Sequence, residues 1–183
     1  MCAGYKQYVL GLDMGGTNSV LGLVNVQGEV LARTSIKTHD YPDINDYVNA
    51  LYAGAQSMTA PFGGLEQVQG IGAGVPNGNF YTGEIQHAVN LPWHDVPFAR
   101  VMSERFGLPC TITNDANAAA LGEMKYGAAK GMKNFIEITL GTGVGSGIVI
   151  DGKVVYGHDG FAGELGHTCA VRGADARACN CGK

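Results

Sequence analysis

No apolar run in this chain of 183 residues approaches the length of a bilayer span, so a membrane-crossing helix is not expected. The opening residues Met1-Cys2-Ala3-Gly4-Tyr5-Lys6-Gln7 hold no apolar stretch of the kind a secretory signal needs. The expected compartment is cytoplasmic. Cationic charge is scarce: 12 Lys and Arg against 16 Asp and Glu leave a formal net charge of −4. No electrostatic footprint for nucleic acid or an anionic membrane follows from that balance. The five cysteines, Cys2, Cys110, Cys169, Cys179 and Cys181, are an odd set, which favours reduced thiols or a metal site over a disulfide framework. Two nucleotide-binding motifs are missing as well. There is no G-x-x-x-x-G-K-[ST], which excludes a P-loop, and no G-x-G-x-x-G running from a strand into a helix, which disfavours a dinucleotide fold.

Glycine is abundant instead. Its 29 residues are more than double the usual share of about 7%, and they gather at turns and between strands, where backbone must bend or approach closely. Two turns stand out, Asp13-Met14-Gly15-Gly16-Thr17-Asn18 and Gly141-Thr142-Gly143-Val144-Gly145. Tyr8, Val9, Leu10 and Leu12 precede the first and Val20, Leu21, Leu23 and Val24 follow it; Phe135, Ile136, Ile138 and Leu140 precede the second and Ile148, Val149 and Ile150 follow it. Both hairpins continue into a further turn, at Gly28 and at Gly152, and a further strand. Offsets of 128 residues from Gly15 to Gly143 and 124 from Gly28 to Gly152 read as one β-turn-β-turn-β unit used twice. Paired turns with exposed backbone N–H groups can grip a polyphosphate from both sides.

Between the two copies, Asp43 is placed to cap a helix over residues 44–58, which Pro61 to Gly64 breaks. A strand over 68–75 ends at Pro76-Asn77-Gly78-Asn79, an irregular stretch covers 80–93, and a helix over 96–106 follows Asp95. A strand over 110–114 leads into an alanine-rich helix stopped by Gly127. Such alternation predicts an α/β fold with a mixed sheet flanked by helices. We place one lobe at residues 1–115 and the beginning of a second, duplicated lobe at 116–183. The second copy has its three strands and none of the helices that followed them in the first, so it reads as incomplete. A homodimer is expected to cover its bare sheet faces.

Four groups of residues are candidates for chemistry. Asp13, beside Gly15, Gly16 and the Thr17 hydroxyl, is suited to hold a water of a Mg2+ shell while the glycine N–H groups face phosphate oxygens; the alternative is an aspartate that caps its own turn. Recurrence of the turn favours phosphate. Asp115, within Asn114-Asp115-Ala116-Asn117, is either an N-cap or a general base for an attacking hydroxyl. In Glu164-Leu165-Gly166-His167 the polar groups offer paired hydrogen bonds to a sugar, or the histidine is an ordinary surface residue. Cys179 and Cys181 with one distant histidine make three of the four ligands a structural Zn2+ takes, so a complete zinc site is not expected.

Taken together, these residues resemble the ROK family, the bacterial sugar kinases and related repressors of the sugar kinase/Hsp70/actin fold. Leu12-Asp13-Met14-Gly15-Gly16-Thr17-Asn18 looks like its first phosphate motif and Leu140-Gly141-Thr142-Gly143-Val144-Gly145-Ser146-Gly147 like its second. Asn90-Leu91-Pro92-Trp93, the run from Asn114 through Glu123, and Gly163-Glu164-Leu165-Gly166-His167 resemble three more family signatures. The resemblance implies a ribonuclease H-like, actin-like ATPase fold and ATP-dependent phosphorylation of a hexose at its 6-hydroxyl, glucose first, as in glycolysis. Asp115 would be the catalytic base. Asn90, Asn114, Glu164 and His167 would bind the sugar, Asp13 would support Mg2+, and Gly15, Gly16, Thr17, Asn18, Gly141, Thr142, Gly143, Val144 and Gly145 would hold ATP. His167, Cys179 and Cys181 would ligate a structural zinc with a third cysteine that this sequence does not have. Gly74-Val75-Pro76-Asn77-Gly78 departs from the Gly-x-Pro-Gly of many members. The resemblance also implies that the chain ends within the second lobe and by itself is inactive. A kinase for N-acetylglucosamine, N-acetylmannosamine or allose is an alternative. So is a sugar-sensing regulator without its DNA-binding domain, for which a first strand near Tyr8 leaves no room for a helix-turn-helix.

Overall fold

Alternating residues at the start of the chain divide into a buried set, Leu10, Leu12 and Met14, and a set that turns the other way, Val9, Gly11 and Asp13. The computed structural model describes residues 6–88, 90–141, 143–173 and 176. Strands β1 (Tyr8–Met14), β2 (Asn18–Asn25) and β3 (Val30–Lys37) form an antiparallel meander, and β4 (Val68–Gly74) and β5 (Cys110–Thr113) extend it in parallel on the far side of β1. The order is β3-β2-β1-β4-β5. Parallel neighbours require crossovers, supplied here by α1 (Ile44–Thr59) and α2 (Phe98–Phe106). Helix α1 buries Tyr47, Val48, Leu51, Ala55 and Met58, and α2 buries Phe98, Met102 and Phe106. These stripes meet Leu10, Leu12, Met14, Leu21 and Leu23 in one apolar core.

Most element boundaries follow the sequence expectation. The Asp43 carboxylate accepts from the Asn45 N–H at 2.7 Å and starts α1 as expected. Helix α2 starts two residues later than expected. Val96 precedes Pro97, a position from which the helical region is disfavoured, and instead bridges to Ile85 through two backbone hydrogen bonds of 2.9 and 3.1 Å.

The second sheet holds β6 (Phe135–Leu140), β7 (Val144–Ile150) and the two-residue β8 (Lys153–Val154), all antiparallel. Between the sheets lies α3 (Asp115–Tyr126). Its alanines are small for a reason beyond helix propensity. A Cβ on Gly74 of β4 would stand 3.1 Å from the Ala118 methyl, and Cβ atoms on Gly145 and Gly147 of β7 would stand 3.1 Å from Ala116 and 2.5 Å from Ala120. Alanine against glycine on both flanks lets one helix seat two sheets.

The repeated unit is present, with a corrected register. The Gly15 N–H donates to the Asn18 carbonyl at 2.9 Å and the Gly141 N–H to the Gly143 carbonyl at 3.0 Å. Gly141, not Gly143, is therefore the counterpart of Gly15, at an offset of 126 residues. The second connection is one residue shorter, because Met14 pairs with Ser19 whereas Leu140 pairs with Val144. Gly28 and Gly152 both adopt positive φ, 85° and 73°, and keep their matching places. No helix of the described residues is long and apolar enough to cross a membrane.

Candidate active site

The first glycine turn rests on a buried line of hydroxyls. The Thr38 hydroxyl donates to the Gly15 carbonyl at 2.7 Å, so the Ser19 hydroxyl must donate to Thr38 at 2.9 Å, and Tyr47 donates to Ser19 at 2.6 Å. Burial pushes the Tyr47 hydroxyl pKa up, which keeps the proton on the donor. A backbone hydrogen bond from Thr38 to the Thr17 carbonyl, 2.9 Å, secures the other side of the turn. Its carbonyls are thus tied inward. Gly16 supplies a different feature: a Cβ there would lie 3.2 Å from the Asn90 carbonyl and 3.3 Å from the Asn90 Cβ. Asn90 is exposed, while Leu91 and Trp93 beside it are buried. Trp93 donates to the Tyr41 carbonyl at 3.0 Å and packs against Tyr47 at 4.6 Å between centroids. The Asn-Leu-Pro-Trp run therefore presents one polar side chain over the phosphate turn and anchors it by two apolar ones.

At the start of α3 the two readings of Asp115 separate. The N-cap is Asn114, whose side-chain oxygen accepts from the Asn117 N–H at 2.7 Å. Asp115 stands one residue inside the helix, exposed, with one carboxylate oxygen 2.9 Å from the Ala116 N–H. Its other oxygen makes no hydrogen bond among the described residues. Asn114 also donates to a Glu164 carboxylate oxygen at 3.3 Å, and the second Glu164 oxygen lies 3.8 Å from His167 Nε2. Three of the four sugar candidates thus touch in sequence. Gly74 links Asp115 to Asp13: it pairs with Asp13 across β1 and β4, and a Cβ on it would stand 3.5 Å from the Asp115 Cα.

The glycines of the 163–167 segment also have a spatial cause. A Cβ on Gly163 would come within 2.8 Å of the Ser146 carbonyl, and one on Gly166 would run into the Val144 carbonyl. The Ser146 hydroxyl donates to the Gly163 carbonyl. The segment therefore lies directly on β7 beside the second glycine turn, whose Gly145 faces Ala116 in the first turn of α3. Both turns and all four sugar candidates gather at the carboxyl ends of β1, β4 and β5, where open α/β sheets bind ligands.

A cleft of about 550 Å3, mostly apolar, runs along the α3 side of the first sheet, with Asp13, Gly74, Thr113, Phe80 and Tyr156 in its wall. Asp115, Asn90 and Asn114 are not part of that wall. Among the described residues no group of three or more His, Cys, Asp and Glu side chains is placed to hold a metal ion. Thr142, Cys179 and Cys181 lie outside the described residues. Sequence reasoning missed Thr38, Ser19 and Tyr47, as well as Asn79, which donates to the Asp159 carbonyl, and Tyr156, whose ring stacks on Phe80. The signal for the first three was a hydroxyl at strand and helix positions that otherwise read as core.

The chain matches the ROK family over residues 9–183. It belongs to the ROK family. A glucokinase of Halalkalibacterium halodurans is 39% identical over 180 residues, covering 97% of this chain and 54% of that one. The crystal structure of a ROK family glucokinase from Streptomyces griseus, in complex with glucose and AMPPNP, aligns with a TM-score of 0.80 at 34% identity, covering 96% of this chain and 54% of that one. A xylose repressor of Caldicellulosiruptor bescii is 33% identical, covering 95% of this chain and 44% of the repressor. The chain spans about half the length of the curated relatives it matches. Its fold is the actin-like ATPase fold of ROK sugar kinases, with the mixed five-stranded sheet flanked by helices.

Proposed function

We propose that the protein is an ATP-dependent hexose kinase acting on the 6-hydroxyl, with glucose as the first candidate acceptor. One observation carries this reading: Asn114 takes the helix cap, so the Asp115 carboxylate stays exposed beside the contact chain of Asn114, Glu164 and His167. Asp115 takes the 6-hydroxyl proton as that oxygen bonds to the γ-phosphorus and the bond from phosphorus to the bridging oxygen of ADP breaks. Asn90, Asn114, Glu164 and His167 orient the other hydroxyls, which places the attacking oxygen in line. Asp13, Gly15, Gly16, Thr17 and Asn18 hold the nucleotide from one lobe, and Gly141, Thr142, Gly143, Val144 and Gly145 hold it from the other. Closure of a lobe ending near residue 115 on the one that follows would exclude water as a competing acceptor.

Asp13 fits a magnesium site, being an exposed carboxylate at a strand end next to the phosphate turn; the ion, held there with the ATP phosphates, would neutralise phosphate charge. A zinc on His167, Cys179 and Cys181 would be one ligand short of the usual four, and the mechanism does not use it. ADP release in a coupled assay, on a chain extended to the length of its relatives, tests the proposal with glucose, N-acetylglucosamine, N-acetylmannosamine, fructose and allose as acceptors. Absence of turnover with every hexose would overturn it. Asp115→Asn should lower kcat by about 10²- to 10⁴-fold while hexose affinity stays nearly constant, since the amide keeps the shape and loses the basicity. Similarity to a xylose repressor supports a second reading, a sugar sensor without chemistry, for which hexose would bind with no ADP released.

A further inference from the structure

Two loops far apart in sequence meet just upstream of the 163–167 segment. Asn79, in the loop after β4, is buried although polar. Its side-chain oxygen accepts from the Tyr81 and Thr82 N–H groups at 2.9 and 3.3 Å, which shapes its own loop. Its amide nitrogen reaches across and donates to the Asp159 carbonyl at 2.8 Å. Beside it, the Phe80 and Tyr156 rings stack at 4.1 Å between centroids with planes 2° apart. The Tyr81 hydroxyl donates to the Gly157 carbonyl at 2.9 Å, and the Tyr81 ring meets the Tyr156 ring edge-on at 6.1 Å. Gly160 completes the junction. Its φ is 88°, and a Cβ there would come within 2.9 Å of the Asn79 side-chain oxygen, so both its conformation and its bareness are needed.

What this junction holds is the chain just upstream of Glu164 and His167. From Tyr156 the chain turns back through a hydrogen bond from the Ala162 N–H to the Tyr156 carbonyl, 3.0 Å, and enters the 163–167 segment. That segment is fixed on one side by β7, through Gly163 and Gly166. It reaches the first lobe through the Asn114 to Glu164 hydrogen bond, which at 3.3 Å and part-buried is too weak to set a position alone. We propose that Asn79, Phe80, Tyr81 and Tyr156 form a latch between the lobes that sets where Glu164 and His167 stand relative to Asn114. All four are positioning residues: they touch none of the proposed reacting atoms. The use of the latch in sugar binding rests on the hexose-kinase reading, whereas its role in holding the segment does not.

Backbone hydrogen exchange on this chain tests the latch without requiring activity. An aromatic pair of this kind is worth roughly one kcal/mol beyond its buried area, equivalent to about a fivefold to tenfold change in a local opening equilibrium. Tyr156→Ala should therefore speed exchange of amides over 157–168 by about that factor, with α1 and the β1–β2 hairpin unchanged; Tyr156→Phe, which keeps the stack, should stay near the parent. Unchanged exchange over 157–168 in Tyr156→Ala would overturn the latch, as would acceleration spread evenly over the chain. Should Tyr156→Ala fail to fold, Tyr81→Phe removes only the hydroxyl, and exchange near Gly157 must still rise several-fold; no rise there overturns the proposal. Glucose added to a chain extended to the length of its relatives separates the two ideas. If glucose protects nothing around residues 164–168 while the contrast between variants persists, the hexose reading fails and the latch stands.

Discussion

The two glycine turns are alike in sequence and unlike in foundation. Behind the first, Tyr47, Ser19 and Thr38 are fully buried and pass hydrogen bonds to the Gly15 carbonyl, and an eight-residue β3 flanks the hairpin before α1 closes over it. Behind the second, β8 has two residues, and the strand faces turned away from α3 are open: Ile138 is 55% exposed and Leu140 80%. The second turn is held from its flanks instead, by Ala116 against Gly145 and by Gly166 against Val144. A duplicated hairpin therefore does not duplicate its support. In the first copy the support comes from Ser19 just past the turn and from Thr38 and Tyr47 further along the chain; in the second it comes from the helix before it and the 163–167 segment after it.

The largest expected effect that breaks this comparison lies in the core of the first hairpin. Leu21 of β2 is fully buried in the core that α1 covers, so Leu21→Ala should cost about 2–5 kcal/mol of unfolding free energy in urea titration. A cost near zero would mean that the two hairpins are supported alike. A smaller and more specific loss is expected at Thr38. Thr38→Val keeps the volume and removes the donor to Gly15, leaving a part-buried carbonyl and the buried Ser19 hydroxyl without their partner. This should cost about 1–3 kcal/mol and, in a chain extended to the length of its relatives, weaken AMPPNP binding more than glucose binding. Equal loss for both ligands, read by calorimetry, would show that the hydroxyl line supports the fold in general and not the phosphate turn in particular.

Much of this was legible in the chain because periodicity is local. Alternation in Tyr8 to Leu12, the 44–58 stripe and the cap at Asp43 each needed only near neighbours, and the recurrence of the glycine turn needed only a comparison of the chain with itself. Register inside the repeat was less accessible, since Gly141 and Gly143 are equally good glycines and only the hydrogen bond from Gly141 to Gly143 tells which one opens the turn. The cap at α3 was ambiguous for a similar reason: Asn114 and Asp115 are adjacent and both residue types favour that position. The α2 start misled because Asp95 reads as a cap, while the restriction that Pro97 places on Val96 acts first. Asn79 and Asp159, 80 positions apart, share no pattern that a local reading can detect.

The smallest expected effect is also the sharpest control. Leu140 closes β6 at the rim of the second turn, as Met14 closes β1 at the first, yet Met14 is buried and Leu140 is the more exposed by far. Removing apolar area that is already in water returns almost nothing to the unfolded state. Leu140→Ala should therefore change unfolding free energy by no more than about 0.5 kcal/mol, against a cost of about 2–5 kcal/mol for Met14→Ala in the same buffer. A loss at Leu140 comparable to that at Met14 would mean that the open face of β6 is covered in solution, as the expected homodimer would cover it. Sedimentation of the two variants then decides the matter: the cost should disappear on dilution if a second copy supplies the cover, and persist if the chain covers itself.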